Sequence, residues 1–166
     1  MKMTTLKDLF IHELKDLHSA EKQILKALPK MVKAATNDDL KQALKNHFHE
    51  TEDQVARLDE IFGQLEHSSR TVKCRGMEGL LAESKEILEM DLEDDVRDAA
   101  IISTAQRVEH YEIAGYGCAR TFAEQLGFDQ AARLLQQTLN EEKAADEKLT
   151  EIARQSVNSE AAVGGN

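Results

Sequence analysis

Leu6, Leu9, Phe10, Leu14, Leu17, Ile24, Leu28, Met31 and Ala35 recur mostly at steps of three or four. That is the period of an amphipathic helix, and it predicts a first helix from Thr4 to about Ala35. Pro29 falls late in this stretch. A proline deletes one backbone bond and bends a helix, so a weak point is expected near Leu25. Thr36-Asn37-Asp38-Asp39 reads as a turn that offers an N-cap residue to the next helix. Leu40, Leu44, Val55, Leu58, Ile61 and Leu65 predict that second helix from about Asp38 to Glu66. A polar linker follows from His67 to Gly76, then a short amphipathic helix carrying Leu80, Leu81, Ile87 and Leu88, then an acidic connector from Asp91 to Asp95. Ile102, Ala105, Tyr116, Ala119, Ala123 and Leu126 predict a third long helix from Val96 to Leu126, with Gly127 as its C-cap. Leu134, Leu135, Leu149 and Ile152 predict a fourth from Asp129 to Gln155. The remaining tail is small and polar and is expected to be disordered, which leaves residues 1–157 as the folded domain and 158–166 as the tail.

Two tight helical hairpins joined by one long crossover is the connectivity of ferritin-like bundles. The expected fold is therefore all-α: a ferritin-like four-helix bundle with a short extra helix in the crossover between helices two and three. A weak internal echo supports two related hairpins. The spacing from Glu21 to Glu50 nearly equals that from Glu112 to Glu142, and Leu58-Asp59-Glu60-Ile61 resembles Leu149-Thr150-Glu151-Ile152.

The informative residues are polar ones that fall where a core residue belongs. On helix one the series Leu14, Leu17, Glu21, Ile24, Leu28 turns Glu21 inward. On helix three the series Ile102, Ala105, Glu109, Glu112, Tyr116, Ala119 turns two glutamates inward, one turn apart. On helix two the window is Leu44, His47, Glu50 or Thr51, Gln54, Leu58; on helix four it is Leu135, Thr138, Glu141 or Glu142, Ala145, Leu149, with Asp146 one turn after Glu142. Each window lies near mid-helix, so antiparallel packing brings all four to one level.

For any single glutamate, a solvated helix face is the commoner explanation. Four helices with the same interruption at matching heights are harder to explain that way. Burying an unpaired ion costs several kcal/mol even after relaxation. Five or six such carboxylates would cancel the ~5–15 kcal/mol stability of a whole domain. No Lys or Arg lies on the inward series. Either the carboxylates are not buried, or they are protonated, or cations hold them; of cations, metal ions remain, and carboxylate-rich sites in bundle cores suit iron or manganese.

Composition agrees with this picture and removes other classes. The 166 residues suit one domain, aromatic residues are 4 % of them, Trp is absent and Pro occurs once. The formal charge is −10, from 31 acidic against 21 basic residues. Such a surface repels nucleic acid and anionic lipid and attracts cations. No apolar run approaches the roughly 20 residues that span a bilayer, and Met1-Lys2-Met3-Thr4-Thr5 lacks the apolar core of a secretion signal. Cys74 and Cys118 form no CxxC pair, which excludes a Cys₄ iron centre on this chain and fits a reducing, cytoplasmic setting. Cys118 is expected to be a small buried hydrophobe and Cys74 a loop thiol. His47 is more often a hydrogen-bonded core histidine than a ligand at such a position. His110 points off the stripe, and His12, His18, His49 and His67 read as surface residues. Tyr116 lies on the stripe, where a plain core tyrosine is the simplest reading and a hydrogen bond to a carboxylate the more interesting one.

Asp16-Leu17-His18-Ser19-Ala20-Glu21-Lys22-Gln23, Glu109-His110-Tyr111-Glu112-Ile113-Ala114-Gly115-Tyr116 and Glu141-Glu142-Lys143-Ala144-Ala145-Asp146 resemble the bacterial YciF-like proteins (DUF892). This is a ferritin-like, rubrerythrin-like group of stress-induced proteins, and the likeness runs to about Val157. It implies a homodimeric bundle with a dimetal site, most simply two iron ions. By that resemblance Glu21, Glu50, Glu109, Glu112 and Glu142 are the ligands of the four helices. The sequence departs from the Glu-x-x-His pattern frequent in ferritin-like sites: Asp53 and Ala145 stand where the histidines would be. Gln54 and Asp146, one turn after each glutamate, are candidate substitutes, and His47, one turn before Glu50, is a further candidate. A site with so little imidazole is hard and oxygen-rich, which admits manganese or magnesium beside iron. Three functions remain open at this stage: a dimetal protein acting on oxygen, peroxide or iron; a non-catalytic stress protein whose metal is structural; and an iron store, which would need a large cage.

Overall fold

The computed structural model describes residues 3–69 and 72–163. Helix α1 spans Leu6–Ala34 and opens on a capping box. The Asp8 N–H donates to Thr5 Oγ1 at 3.1 Å, and the Thr5 N–H donates to Asp8 Oδ2 at 3.0 Å. Two donors that a helix start leaves open are thereby satisfied reciprocally. The helix runs on through Pro29, so the expected weak point does not end it. Helix α2, Asp38–Gln64, starts under Asn37, whose side-chain oxygen accepts from the Leu40 N–H at 3.0 Å. It stops two residues before the expected Glu66, which has a left-handed φ of 53° that ends the helical run. The crossover carries α3, Arg75–Leu88, before α4, Asp94–Gln125. Gly127, at φ 73°, terminates α4 in the left-handed conformation that glycine adopts most readily. Helix α5 is Asp129–Ile152.

Contacts between the ends set the directions of the four long helices. Phe10, near the start of α1, stacks on Phe128 at the start of α5, with ring centroids 5.9 Å apart. Asp98, near the start of α4, meets the far end of α1. The long helices therefore run up, down, down and up, and the crossover with α3 climbs the length of the bundle. Around the square, α1 packs on α2 and α4, and α5 packs on α2 and α4. No helix among the described residues is long and apolar enough to cross a membrane.

Asp98 holds the α1–α2 turn in place. It is 2 % exposed and accepts from the Thr36 N–H at 2.8 Å, the Thr36 hydroxyl at 2.7 Å and the Asn37 N–H at 2.7 Å. Bonds to an ionised acceptor are the strong ones. Asp98→Asn keeps the shape but replaces one accepting oxygen with an NH2, which meets at least one of those donors. The expected cost is about 2 kcal/mol, to be read as a lowered urea midpoint at unchanged slope.

Helix α3 is fastened to α1 and α4 by Cys74, its N-cap residue. The Cys74 N–H donates to Ser19 Oγ at 2.8 Å, and its sulfur lies 3.1 Å from both Asp16 Oδ2 and Tyr111 Oη. Tyr111 in turn donates to Asp16 Oδ2 at 2.7 Å. A Cβ at Gly76 would come within 2.6 Å of the Tyr111 ring, so only glycine admits this approach. Cys74 is the expected loop thiol, fully buried, whereas the expectation for Cys118 is corrected: it is exposed. Cys118 precedes buried Ala119 by one residue, about 100° around the helix. His18 is corrected as well. It is 1 % exposed, 3.0 Å from Asp59 Oδ1 and edge-on to Phe62, because α1 is covered on three sides rather than one. Burial, with Lys22 nearby, lowers its pKa.

Beyond α5 the chain passes through a π-turn, Ala153–Val157, into a last short helix α6, Asn158–Val163. Residues 158–163 are thus helical where disorder was expected. Val157 is the reason: it is 1 % exposed in the upper core and ties the segment down. Residues 164–166 lie outside the described residues.

The core is divided into two. One apolar cluster gathers Ile24, Leu28, Met31, Leu40, Leu44, Ile101, Leu149 and Ile152. The other gathers Phe10, Leu14, Leu58, Phe62, Tyr116, Ala119 and Leu135. On every long helix the inward residues between these clusters are polar.

Candidate metal centre

Glu21, Glu109, Glu112 and Glu142 are each at most 2 % exposed, and His47 is 6 % exposed. They come from α1, α4, α4, α5 and α2, one layer deep between the two apolar clusters. One ligand atom from each of His47, Glu109, Glu112 and Glu142 can be chosen so that all lie within 4.8 Å of one another. Glu21 completes the layer. Its Oε1 accepts a hydrogen bond from Tyr116, so the more interesting reading of that tyrosine holds. Gln54 is fully buried and donates to Glu142 Oε1.

These few donors leave most of the layer without hydrogen bonds. Glu21 Oε2, Glu109 Oε2, both oxygens of Glu112, Glu142 Oε2 and both nitrogens of His47 have no hydrogen-bond partner. His47 Nε2 does sit 3.3 Å from Glu109 Oε1, a charge contact without the alignment of a hydrogen bond. Electrostatics report the same strain. Burial first, then the Glu142 charge, raises the pKa of Glu21 to about 8. Burial first, then Glu21, Glu142 and Glu109, holds Glu112 well above the usual carboxylate range. Glu109 is raised chiefly by burial, against the pull of His47. Burial opposes charge on His47, but Glu109, Glu50, Glu142 and Glu21 outweigh it and lift the imidazole to about 10.

The donor set fits divalent metal ions. Four carboxylates carry four negative charges, the charge that two divalent cations neutralise, and His47, Glu109, Glu112 and Glu142 bring their ligand atoms into one small volume. Oxygen-rich sites with little imidazole suit hard ions such as iron, manganese or magnesium.

Of the eight candidate ligands, the structure brings six into this layer and leaves two beside it. On helix two the inward position belongs to Thr51, fully buried with its hydroxyl donating to the His47 carbonyl at 2.7 Å. Glu50 stands one step round the helix, its side chain 46 % exposed and 3.8 Å from His47 Nδ1. Asp146 is turned aside: it accepts from Gln106 at 3.0 Å and lies 3.3 Å from His110. Between Glu141 and Glu142 the choice falls on Glu142. Glu141 forms a two-pronged pair with Arg57, at 2.6 and 2.7 Å. Arg57, just off the stripe of helix two, was not marked by the hydrophobic pattern, although its partners Thr138 and Glu141 were.

Residues 5–162 match the family described as Domain of unknown function (DUF892). The chain belongs to that family. A curated relative, protein YciF of Escherichia coli strain K12, is 48 % identical over 162 residues, covering 97 % of this chain and 98 % of the relative. The crystal structure of the E. coli stress protein YciF superposes with a TM-score of 0.91 at 48 % identity, covering 94 % of this chain and 99 % of that one. A Rhodopseudomonas palustris protein whose name suggests a structural role matches with a TM-score of 0.87 at 47 % identity over 90 % of this chain and 95 % of that one. A protein of Xanthomonas campestris pv. campestris shares the fold at 20 % identity, with a TM-score of 0.74 over 93 % of this chain and 95 % of that one. The DUF892 fold is thus an all-helical bundle, and in this member its midplane is a buried layer of His and Glu.

Proposed function

We propose that the protein is a dimetal carboxylate protein of the bacterial stress response, with two divalent ions, iron foremost, held by Glu21, His47, Glu109, Glu112 and Glu142. One observation carries the reading: five carboxylate oxygens and an imidazole on four different helices are buried without hydrogen-bond partners, and His47, Glu109, Glu112 and Glu142 among them can bring ligand atoms within 4.8 Å of one another. Native structures pair such groups, and each left unpaired costs about 1–3 kcal/mol. Metal ions remove that cost together with the mutual repulsion. The stress assignment rests on the E. coli relative, which is named a stress protein.

In this arrangement Tyr116 and Gln54 orient Glu21 and Glu142, and the two apolar clusters exclude water above and below the layer. Paired iron would supply one-electron steps toward oxygen or peroxide. The deciding experiment is metal content by mass spectrometry, with the visible spectrum, on protein from iron-supplied cells purified without chelator. About two ions per chain is the expected result. A folded, metal-free chain that refuses iron would overturn the proposal.

A second reading has its own support. Tyr116 and Gln54 already donate to two of the carboxylates, so a protonated, metal-free layer is partly satisfied. The name of the R. palustris relative suggests a structural protein. In that case metal only holds the bundle together, and redox cycling of the loaded protein leaves melting temperature unchanged with no peroxide consumed.

A further inference from the structure

A cleft of about 140 Å³ opens between α2 and α5 and ends on the carboxylate layer. His47 and Glu109 line its floor, Ala144 and Ala145 one wall, and Glu50 and Lys148 its rim. Side-chain exposure falls along it from 46 % at Glu50 to 7 % at His47 and 3 % at Glu109. The polar groups are also in series: Glu50 Oε2 lies 3.8 Å from His47 Nδ1, and His47 Nε2 lies 3.3 Å from Glu109 Oε1. Three other clefts, beside Phe48, beside Leu88 and beside Arg75, touch no residue of the layer, and a fourth that meets His47 and Glu109 beside Leu81 holds only about 10 Å³.

Small side chains make this opening. Ala145 follows Glu142 by three residues, one helical turn, so its side chain stands over the same face. A histidine there would add a ligand and fill the cleft. Alanine does neither, and the wall stays open beside an imidazole that is buried and has no hydrogen-bond partner.

We propose that this cleft is the route by which a divalent cation reaches the buried layer, with Glu50 taking the ion at the rim and the ion passing beside His47 to Glu109. The inference rests on the dimetal reading and adds to it the path and the residue that captures the ion. It also gives Glu50 a role that its exposed position suits better than permanent ligation. A lone carboxylate at the rim exchanges water for a cation cheaply, whereas the interior carboxylates do so only once several can bind together. Lys148 shares the rim, but its ammonium is drawn to Glu151, 3.3 Å away.

The test is stopped-flow uptake of Co(II) by the metal-free full-length protein, followed by its visible absorption, with the final number of ions per chain measured separately. Ala145→Leu fills the cleft and is expected to slow uptake while leaving final occupancy unchanged. Glu50→Ala is expected to slow uptake about tenfold at low salt, with the difference shrinking as salt screens the rim charge. An Ala145→Leu protein that loads fully at the wild-type rate overturns the route and leaves the dimetal reading standing. A wild-type protein that takes up no Co(II) overturns both. Should Ala145→Leu lower the final occupancy, Glu50→Ala decides: a wild-type rate at low salt overturns the proposal, and slowed loading to full occupancy upholds it.

Discussion

Glu112→Leu is expected to stabilise the metal-free protein and to abolish metal binding. Glu112 has no exposed surface, neither of its oxygens has a hydrogen-bond partner, and Glu21, Glu142 and Glu109 press on it from three helices. Ionised, it meets that repulsion; protonated, it can share its one proton with Glu21 and still leaves an oxygen unpaired. Leucine has similar bulk and neither liability. Replacing unsatisfied buried polar groups by apolar ones of like shape is often stabilising by 1–4 kcal/mol, so the metal-free melting temperature should rise by roughly 5 °C. With metal the order reverses. The wild-type protein gains the linkage free energy of its ions, which grows with their concentration over the dissociation constant, and the variant gains none. The two melting temperatures should cross as Mn(II) or Co(II) is titrated in. A variant that melts lower without metal, or that still holds its ions, would remove the carboxylate layer's claim to be a metal site.

How far the sequence reveals this layer depends on the helix. Glu21, Glu109 and Glu112 were legible because each continues an apolar series by a step of three or four, and the structure buries all three. Glu50 against Thr51, and Glu141 against Glu142, were not separable. Neighbouring positions differ by about 100° of rotation, and a stripe read from one helix tolerates that much error. The bundle removes the ambiguity through partners on other helices: Arg57 draws Glu141 outward, and Thr51 bonds back to His47 within the layer. His18 shows the limit of single-face reasoning. Leu17, His18, Ser19, Ala20 and Glu21 are all buried in succession, because α1 meets α2, α3 and α4. The Cys74 cluster was invisible for a different reason. Its partners Asp16 and Tyr111 are 58 and 37 residues away along the chain, and no local pattern encodes such meetings.

Without metal, stability is expected to fall as pH rises from about 6.5 to 9, and with metal the stabilisation is expected to grow over the same range. In the folded metal-free state Glu21 holds its proton up to about pH 8, Glu109 and Glu112 are also held well above the usual carboxylate range, and His47 keeps its proton up to about pH 10. Unfolded, the same groups release protons near their ordinary values of 4.5 and 6.5. The folded state therefore binds more protons between those limits, and its stability declines as pH rises through them. For Glu21 the contribution is full below 4.5 and lost by about 8; for His47 it is full below 6.5 and lost by about 10. His18 has the opposite sign. Its folded pKa is lowered, so its contribution is present above 6.5 and lost on acidification, which blunts the trend at the acid end. The decline should be clearest above pH 6.5, on the order of 10 °C in melting temperature by pH 9. Metal must displace these same protons to bind, so its affinity rises with pH and the loaded and metal-free curves diverge. Glu112→Leu removes one raised carboxyl and relieves its neighbours, and its metal-free curve should be the flatter of the two. A wild-type curve that rises from pH 6.5 to 9 without metal would mean that the layer is ionised and solvated as folded, and the case for cations in the core would lose its physical basis.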